Sequence, residues 1–174
     1  MSSSMTVRRF KTDDDGCAAY AVQDGGEAAV IDPRLDQVDE IAAWAAAQGT
    51  AITWVLDTHT HADHLSGVRR LAEHTGAQVA VHASSKARFP ARRVKHGDRL
   101  PVGALALEVI EAPGHTPDSV ALLVGGHLFT GDALLVGGAG RTDFMGGSAA
   151  QLFETYTRLR ALPGETVVHP GHDY

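Results

Sequence analysis

The hexapeptide His59-Thr60-His61-Ala62-Asp63-His64 constrains this chain more than any other stretch. It sets imidazoles and a carboxylate directly after an apolar run, Ile52-Thr53-Trp54-Val55-Leu56, that reads as a buried strand. Alternate side chains of an extended segment point the same way, so His59, His61 and Asp63 are expected to converge. Imidazole nitrogen and carboxylate oxygen are donors that zinc, iron and manganese prefer. The spacing therefore predicts a metal site at the end of that strand.

Later positions supply matching donors, each where an apolar strand ends. His115 lies in Pro113-Gly114-His115-Thr116-Pro117, Asp132 in Phe129-Thr130-Gly131-Asp132-Ala133, and His172 in His169-Pro170-Gly171-His172-Asp173. A glycine beside each donor lets the backbone turn and leaves room for an ion. Strand-end loops on a rigid scaffold are the usual home of active residues. Singly, Asp132 reads equally as a helix cap and His172 as a solvated residue; together with the hexapeptide they make a complete ligand set. His74, His82, His96 and His127 have no such context, and His169 reads as a strand-end packing residue.

The intervening pattern predicts one layered α/β domain over residues 1–174. Strands are expected over Val7 to Phe10, Cys17 to Gln23, Glu27 to Ile31, Ile52 to Leu56, Gln78 to Val81, Leu105 to Ile110, Val120 to Val124, His127 to Thr130 and Thr166 to His169. Asp24-Gly25-Gly26 and Gly125-Gly126 signal tight hairpins. Apolar positions at helical spacing mark three helices, through Val38, Ile41 and Ala45, through Val68 and Leu71, and through Leu152, Phe153, Tyr156 and Leu159. Lys86 to His96 reads as a basic connector, a solvated face with the charge to attract an anionic thiol.

Composition narrows the function classes. The net charge of -6 argues against a nucleic-acid partner, and no apolar run is long enough to span a membrane. The N-terminus lacks a secretory pattern, and a single cysteine fits a reducing compartment, so the cytoplasm is the expected address. Cys17 itself is expected to be a small packed core residue.

The set His59-x-His61-x-Asp63-His64, Pro113-Gly114-His115-Thr116, Gly131-Asp132 and Gly171-His172 resembles the metallo-β-lactamase superfamily over almost the whole chain. That resemblance implies an αββα sandwich with metal at one edge. Two branches are similar. In persulfide dioxygenases, iron(II) would sit on His59, His115 and Asp132, with His61, Asp63, His64 and His172 around it orienting ligands and water. The substrates implied are dioxygen and a low-molecular-weight thiol persulfide such as glutathione persulfide, oxidised to sulfite. In hydroxyacylglutathione hydrolases (glyoxalase II), zinc or a mixed metal pair is implied. His59, His61 and His115 would hold one ion, Asp63, His64 and His172 the other, and Asp132 would bridge them for thioester hydrolysis.

The loop Gly140-Arg141-Thr142-Asp143-Phe144 and the ending His172-Asp173-Tyr174 resemble the dioxygenases more, and that reading is favoured. Asp63, Arg141 and Tyr174 are the expected catalytic residues: Arg141 through a substrate carboxylate or loop carboxylates such as Asp143, Tyr174 as a hydroxyl donor. Both branches continue past this ending with basic residues that help bind glutathione. A smaller thiol, and a homodimer covering an exposed edge, are further expectations. A metal-bearing but catalytically silent binding module is the third functional class.

Overall fold

The computed structural model describes residues 5–11, 16–143 and 146–173. Two sheets form the centre. The first has the order β1 (Thr6–Lys11), β2 (Ala18–Asp24), β3 (Glu27–Ile31), β4 (Ala51–Leu56), β5 (Gln78–His82) and β6 (Arg92–Val94). Its first three strands pair antiparallel and β3 to β6 pair parallel. Parallel neighbours need crossovers, and helices α1 (Val38–Gln48) and α2 (Val68–Thr75) supply two of them. The second sheet runs β11 (Val167–Pro170), β10 (His127–Gly131), β9 (Val120–Val124), β8 (Leu105–Glu111) and β7 (Arg99–Val102). Only β10 and β11 pair parallel in it. Residues 83–91 connect β5 to β6 without a helix, and helix α3 (Ala149–Leu159) lies in the connection from β10 to β11.

Strand β2 shows how the layers are encoded. Tyr20 and Val22 face the second sheet, meeting Leu100, Leu107, Leu122 and Phe129 in the central core. Ala19 and Ala21 face the other way, against Val38, Ile41 and Leu71 of α1 and α2. Both faces are covered, so the strand is apolar throughout rather than alternating. On the far side, α3 lays Leu152 and Leu159 on Ile110, Ala121 and Leu128. The layers are helix, sheet, sheet, helix, as the resemblance implied.

Three local expectations are corrected. The basic connector contains strand β6, and β7 follows soon after it. β6 is short and arginine-rich, so it lacks the apolar period that marks a strand; Arg92 instead lies over the Trp54 ring at 5.6 Å. Phe153 is 72% exposed, and the buried face of α3 is Leu152, Thr155 and Leu159. The helix through Val38, Ile41 and Ala45 is preceded by a 3-10 turn over Leu35–Gln37 that its apolar spacing does not mark.

This architecture brings distant strand ends to one edge. The hexapeptide follows the carboxyl end of β4, Asp132 follows β10, and His172 follows β11. His115 lies in the loop from β8 to β9.

Candidate metal centre

Three carboxylates fix the hexapeptide loop. Buried Asp32, just past β3, accepts hydrogen bonds from the Thr58 backbone N–H at 2.6 Å and the Thr58 hydroxyl at 2.8 Å. Asp57 accepts from the Ser66 hydroxyl at 2.7 Å and so closes the loop on itself. Asp118 of the second sheet accepts from the hydroxyls of Thr60, at 2.5 Å, and Thr116, at 2.7 Å. The loop is thus anchored to both sheets before any ion is considered.

The donors meet around Asp132. Its Oδ2 lies 3.4 Å from His172 Nε2, 3.6 Å from His115 Nε2 and 4.0 Å from His59 Nε2. His59, His115 and Asp132 form one group whose donor atoms all lie within 4.8 Å of one another. His61, Asp63 and His64 form a second such group. Asp63 reaches across, with Oδ1 3.2 Å from His64 Nδ1 and Oδ2 3.3 Å from His172 Nε2. His61 turns Nε2 to Asp32 Oδ1 at 3.1 Å, which leaves Nδ1 facing Asp63 at 3.9 Å. Gly171 makes the closure sterically feasible: a Cβ there would stand 2.6 Å from Asp132 Oδ1.

Electrostatics sort these groups. Burial, with the neighbouring His61 charge, pushes the His59 imidazole down to about 4, so its ring is neutral and able to ligate. Burial also pulls on His61, but the facing Asp32 carboxylate outweighs it and lifts that ring to about 9. Hydrogen bonds to Asp132 and Asp63 raise His172 to about 10. Burial works to raise Asp132, while the His172 hydrogen bond and the His59 charge hold it below the usual carboxylate range. The His172 hydrogen bond holds Asp63 far below that range. Carboxylates kept ionised among imidazoles are what a cation needs.

The donor chemistry fits a metal. Buried polar atoms are nearly always hydrogen-bonded, yet among the described residues His64 Nε2 and Asp132 Oδ1 have no hydrogen-bond partner. Both belong to the converging groups. The structure thus brings His59, His61, Asp63, His64, His115, Asp132 and His172 together as expected from sequence.

Other residues need separate comment. The Arg141 guanidinium points to solvent and pairs with Asp143 at 2.7 and 2.9 Å, while its backbone carbonyl lies 2.8 Å from His115 Nδ1. Tyr174 lies outside the described residues, as does Phe144. His169 packs as expected, stacked on Phe129 with ring centroids 4.7 Å apart. The packed-core expectation for Cys17 is overturned. It is partly buried, with Sγ 3.2 Å from Asp63 Oδ2. The cause is backbone pairing between Cys17 and His172, reinforced by the Ala18 N–H donating to the Gly171 carbonyl at 2.9 Å. Asp32 and Asp57 were also missed, although each is a carboxylate just past a buried strand, the context that singled out Asp132.

A cavity of about 340 Å³ opens beside the centre, lined by His59, Thr60, His61, Arg69, Lys86 and Phe89 among others. Lys86 brings the basic connector to its wall.

The family model described as the metallo-beta-lactamase superfamily matches residues 12–172. The chain belongs to that superfamily. Among solved metallo-beta-lactamase relatives, ETHE1 from Myxococcus xanthus is 43% identical with a TM-score of 0.93, covering 98% of this chain and 76% of that one. TTHA1623, solved in a di-iron-bound form, is 31% identical with a TM-score of 0.82 over 96% of this chain and 92% of that one. The hydroxyacylglutathione hydrolase of Anaeromyxobacter dehalogenans is 43% identical over 157 residues, 89% of this chain and 60% of that protein. The chain spans about 60% of the length of the curated relatives it matches. Members of this superfamily are metal-dependent enzymes. Among the described residues no helix is long and apolar enough to cross a membrane.

Proposed function

We propose that this chain is a mononuclear iron enzyme that uses dioxygen and water to oxidise the outer sulfur of a low-molecular-weight thiol persulfide, of the glutathione persulfide type, to sulfite, breaking the S–S bond and releasing the thiol and two protons. The observation that carries this reading is the separate gathering of His59, His115 and Asp132, two imidazoles and one carboxylate without His61. His59, His115 and Asp132 would hold Fe(II), which when bound would supply the redox chemistry that joins persulfide and dioxygen in one effectively intramolecular encounter. The likeness to ETHE1, on the dioxygenase side of the superfamily, supports the same reading, as does the Arg141-Thr142-Asp143 loop.

The chain's own residues act by orientation. Thr58 Oγ1 lies 2.9 Å from His59 Nδ1, and the Arg141 carbonyl lies 2.8 Å from His115 Nδ1. Each contact turns Nε2 of its ring toward Asp132, as partners of ligating histidines do. Asp32 holds His61 in the same manner, and Asp63 with His64 and His172 orders water beside the triad. Arg141 acts through the loop that presents its carbonyl, with Asp143 holding its side chain. Tyr174, by the resemblance alone, serves as a hydroxyl donor. Lys86 and Arg69 receive substrate carboxylates at the rim of the neighbouring cavity.

The second reading is a binuclear thioester hydrolase of the hydroxyacylglutathione type, with zinc or a mixed pair. It is favoured by the second donor group of His61, Asp63 and His64, and by the names of the curated relatives. Metal analysis of anaerobically purified protein, paired with oxygen uptake on glutathione persulfide, separates the two. About one iron per chain with oxygen uptake is expected, and His115→Ala is expected to lose that iron while His64→Ala keeps it. Two metals per chain, thioester cleavage and no oxygen uptake would overturn the dioxygenase reading.

A further inference from the structure

We infer that Ser84, His82 and Glu111 form a second reactive site, a serine nucleophile with its imidazole base and orienting carboxylate, that takes an acyl group from small carboxylic esters. The site goes beyond the proposed reaction and holds whichever metal chemistry runs at the neighbouring His59, His115 and Asp132 group.

The hydrogen bonds fix the direction of the proton. His82 Nδ1 lies 2.8 Å from Ser84 Oγ and 3.2 Å from the Ser84 backbone nitrogen, and its Nε2 lies 3.1 Å from Glu111 Oε1. A backbone N–H only donates, so Nδ1 is the acceptor and the proton of the neutral ring sits on Nε2, where Glu111 accepts it. The Ser84 hydroxyl therefore donates to Nδ1. A hydroxyl, an imidazole and a carboxylate in one such chain are what activates a serine.

A turn closing strand β5 needs only the backbone contact; the carboxylate on the far nitrogen comes from the other sheet. His82 ends β5 and Glu111 ends β8, at the edge where strand ends also deliver the metal donors. The His96 backbone N–H, at 3.4 Å, helps to place Glu111, and the hydrogen bond from His82 holds its carboxyl below the usual range, so it stays ionised. Ser84 is exposed, in a loop whose carbonyls at Ser85 and Ala87 accept from the Arg93 guanidinium at 2.7 and 2.5 Å. It lines a cavity of about 220 Å³ with Ala62, Lys86, Thr116 and Pro117. That space suits a short acyl chain, and the Lys86 ammonium supplies positive charge for the oxyanion that develops.

In the reaction, Ser84 Oγ bonds to the ester carbonyl carbon while its proton passes to His82 Nδ1. The bond from that carbon to the alcohol oxygen then breaks, and His82 gives the proton to the departing alkoxide. Water, deprotonated by His82 in turn, releases the carboxylic acid and regenerates Ser84.

The test uses the iron-loaded chain and an alkyl fluorophosphonate, which transfers its phosphonyl group to an activated serine with loss of fluoride. Peptide mass mapping is expected to place the adduct on Ser84. His82→Gln is expected to slow labelling at least about 100-fold. Glu111→Gln keeps an oxygen acceptor but no charge. As a positioning residue, its change is expected to lower the maximal labelling rate about tenfold and leave the half-saturating concentration unchanged. With p-nitrophenyl acetate, the wild type is expected to release a stoichiometric burst of nitrophenolate that Ser84→Ala lacks at unchanged iron content. No adduct, an adduct on another residue, or His82→Gln labelled at the wild-type rate would overturn the inference. None of those outcomes touches the iron triad, whose own test is the iron content of His115→Ala.

Discussion

His115 Nδ1 lies 2.8 Å from the backbone carbonyl of Arg141, so the residue chosen for its guanidinium meets the centre through its main chain. The guanidinium is two-thirds exposed and faces Asp143. Arg141→Ala is therefore expected to keep bound metal to within a few-fold. Gly140→Ala is expected to be far worse, because its Cβ would stand 2.8 Å from His115 Nδ1. Metal content of the two purified variants, side by side, checks this; equal loss in both would assign the role to the guanidinium.

Asp32→Asn tests the support beneath His61. The carboxylate accepts two hydrogen bonds from Thr58 and faces His61 Nε2 at 3.1 Å, all in a buried setting. Hydrogen bonds to a charged group contribute about 1.5–3 kcal/mol each, and the amide retains only part of them. We expect a loss of at least about 2 kcal/mol, read from the urea midpoint. Metal affinity should drop as well, since His61 and the hexapeptide lose their anchor. A variant with unchanged stability would show that Thr58 alone fixes the loop.

Tyr20→Phe probes the contact between sheets. The Tyr20 hydroxyl, on the first sheet, donates to the Pro170 carbonyl of the second at 2.7 Å, two residues before His172. Removing it leaves a carbonyl short of a partner at a cost of about 1–3 kcal/mol. Metal should leave the variant faster under chelator than the wild type, because the turn bearing His172 is less firmly held. Chelator-driven release rates report this directly, and identical rates would refute it.

Acid sensitivity is expected from His169. Burial and the adjacent His127 push its imidazole down to about 4 from the usual 6.5. Between those values the unfolded chain binds the proton and the folded chain does not. Stability is therefore full above about pH 6.5 and declines as pH falls toward about 4. His169→Gln should flatten the decline relative to wild type in denaturant titrations at matched pH. A wild-type-like slope would place the sensitivity elsewhere.

The donor set was legible because ligand chemistry leaves a local mark: a polar residue at the end of an apolar strand. Asp132 and His172 were found that way; the apolar run of β4 and the helical spacing of α1 gave an α/β domain, while the two-sheet sandwich came only with the family resemblance. Cys17 was not, because its neighbours Ala18, Ala19 and Tyr20 read as core and its link to the site is the pairing with His172, a relationship across most of the chain. Strand β6 escaped for the opposite reason. Its arginines lack the hydrophobic period that a strand shows when one face is buried. Asp32 bears the same mark as Asp132, and attention to carboxylates as well as histidines would have caught it.

The pairing of Cys17 with His172 also has a consequence for how the protein is made. During synthesis the hexapeptide emerges early, yet the turn that supplies His172 emerges only after β11. The second sheet cannot be completed beside β2 until then. Completion of the surroundings of Asp63 and Asp132 is thereby a late event, since both carboxylates face His172. A nascent or nicked polypeptide lacking that turn keeps His59, His115 and Asp132 but leaves Asp63 and Asp132 without the imidazole that holds them ionised, so the charge balance of the centre is set only once the fold has closed.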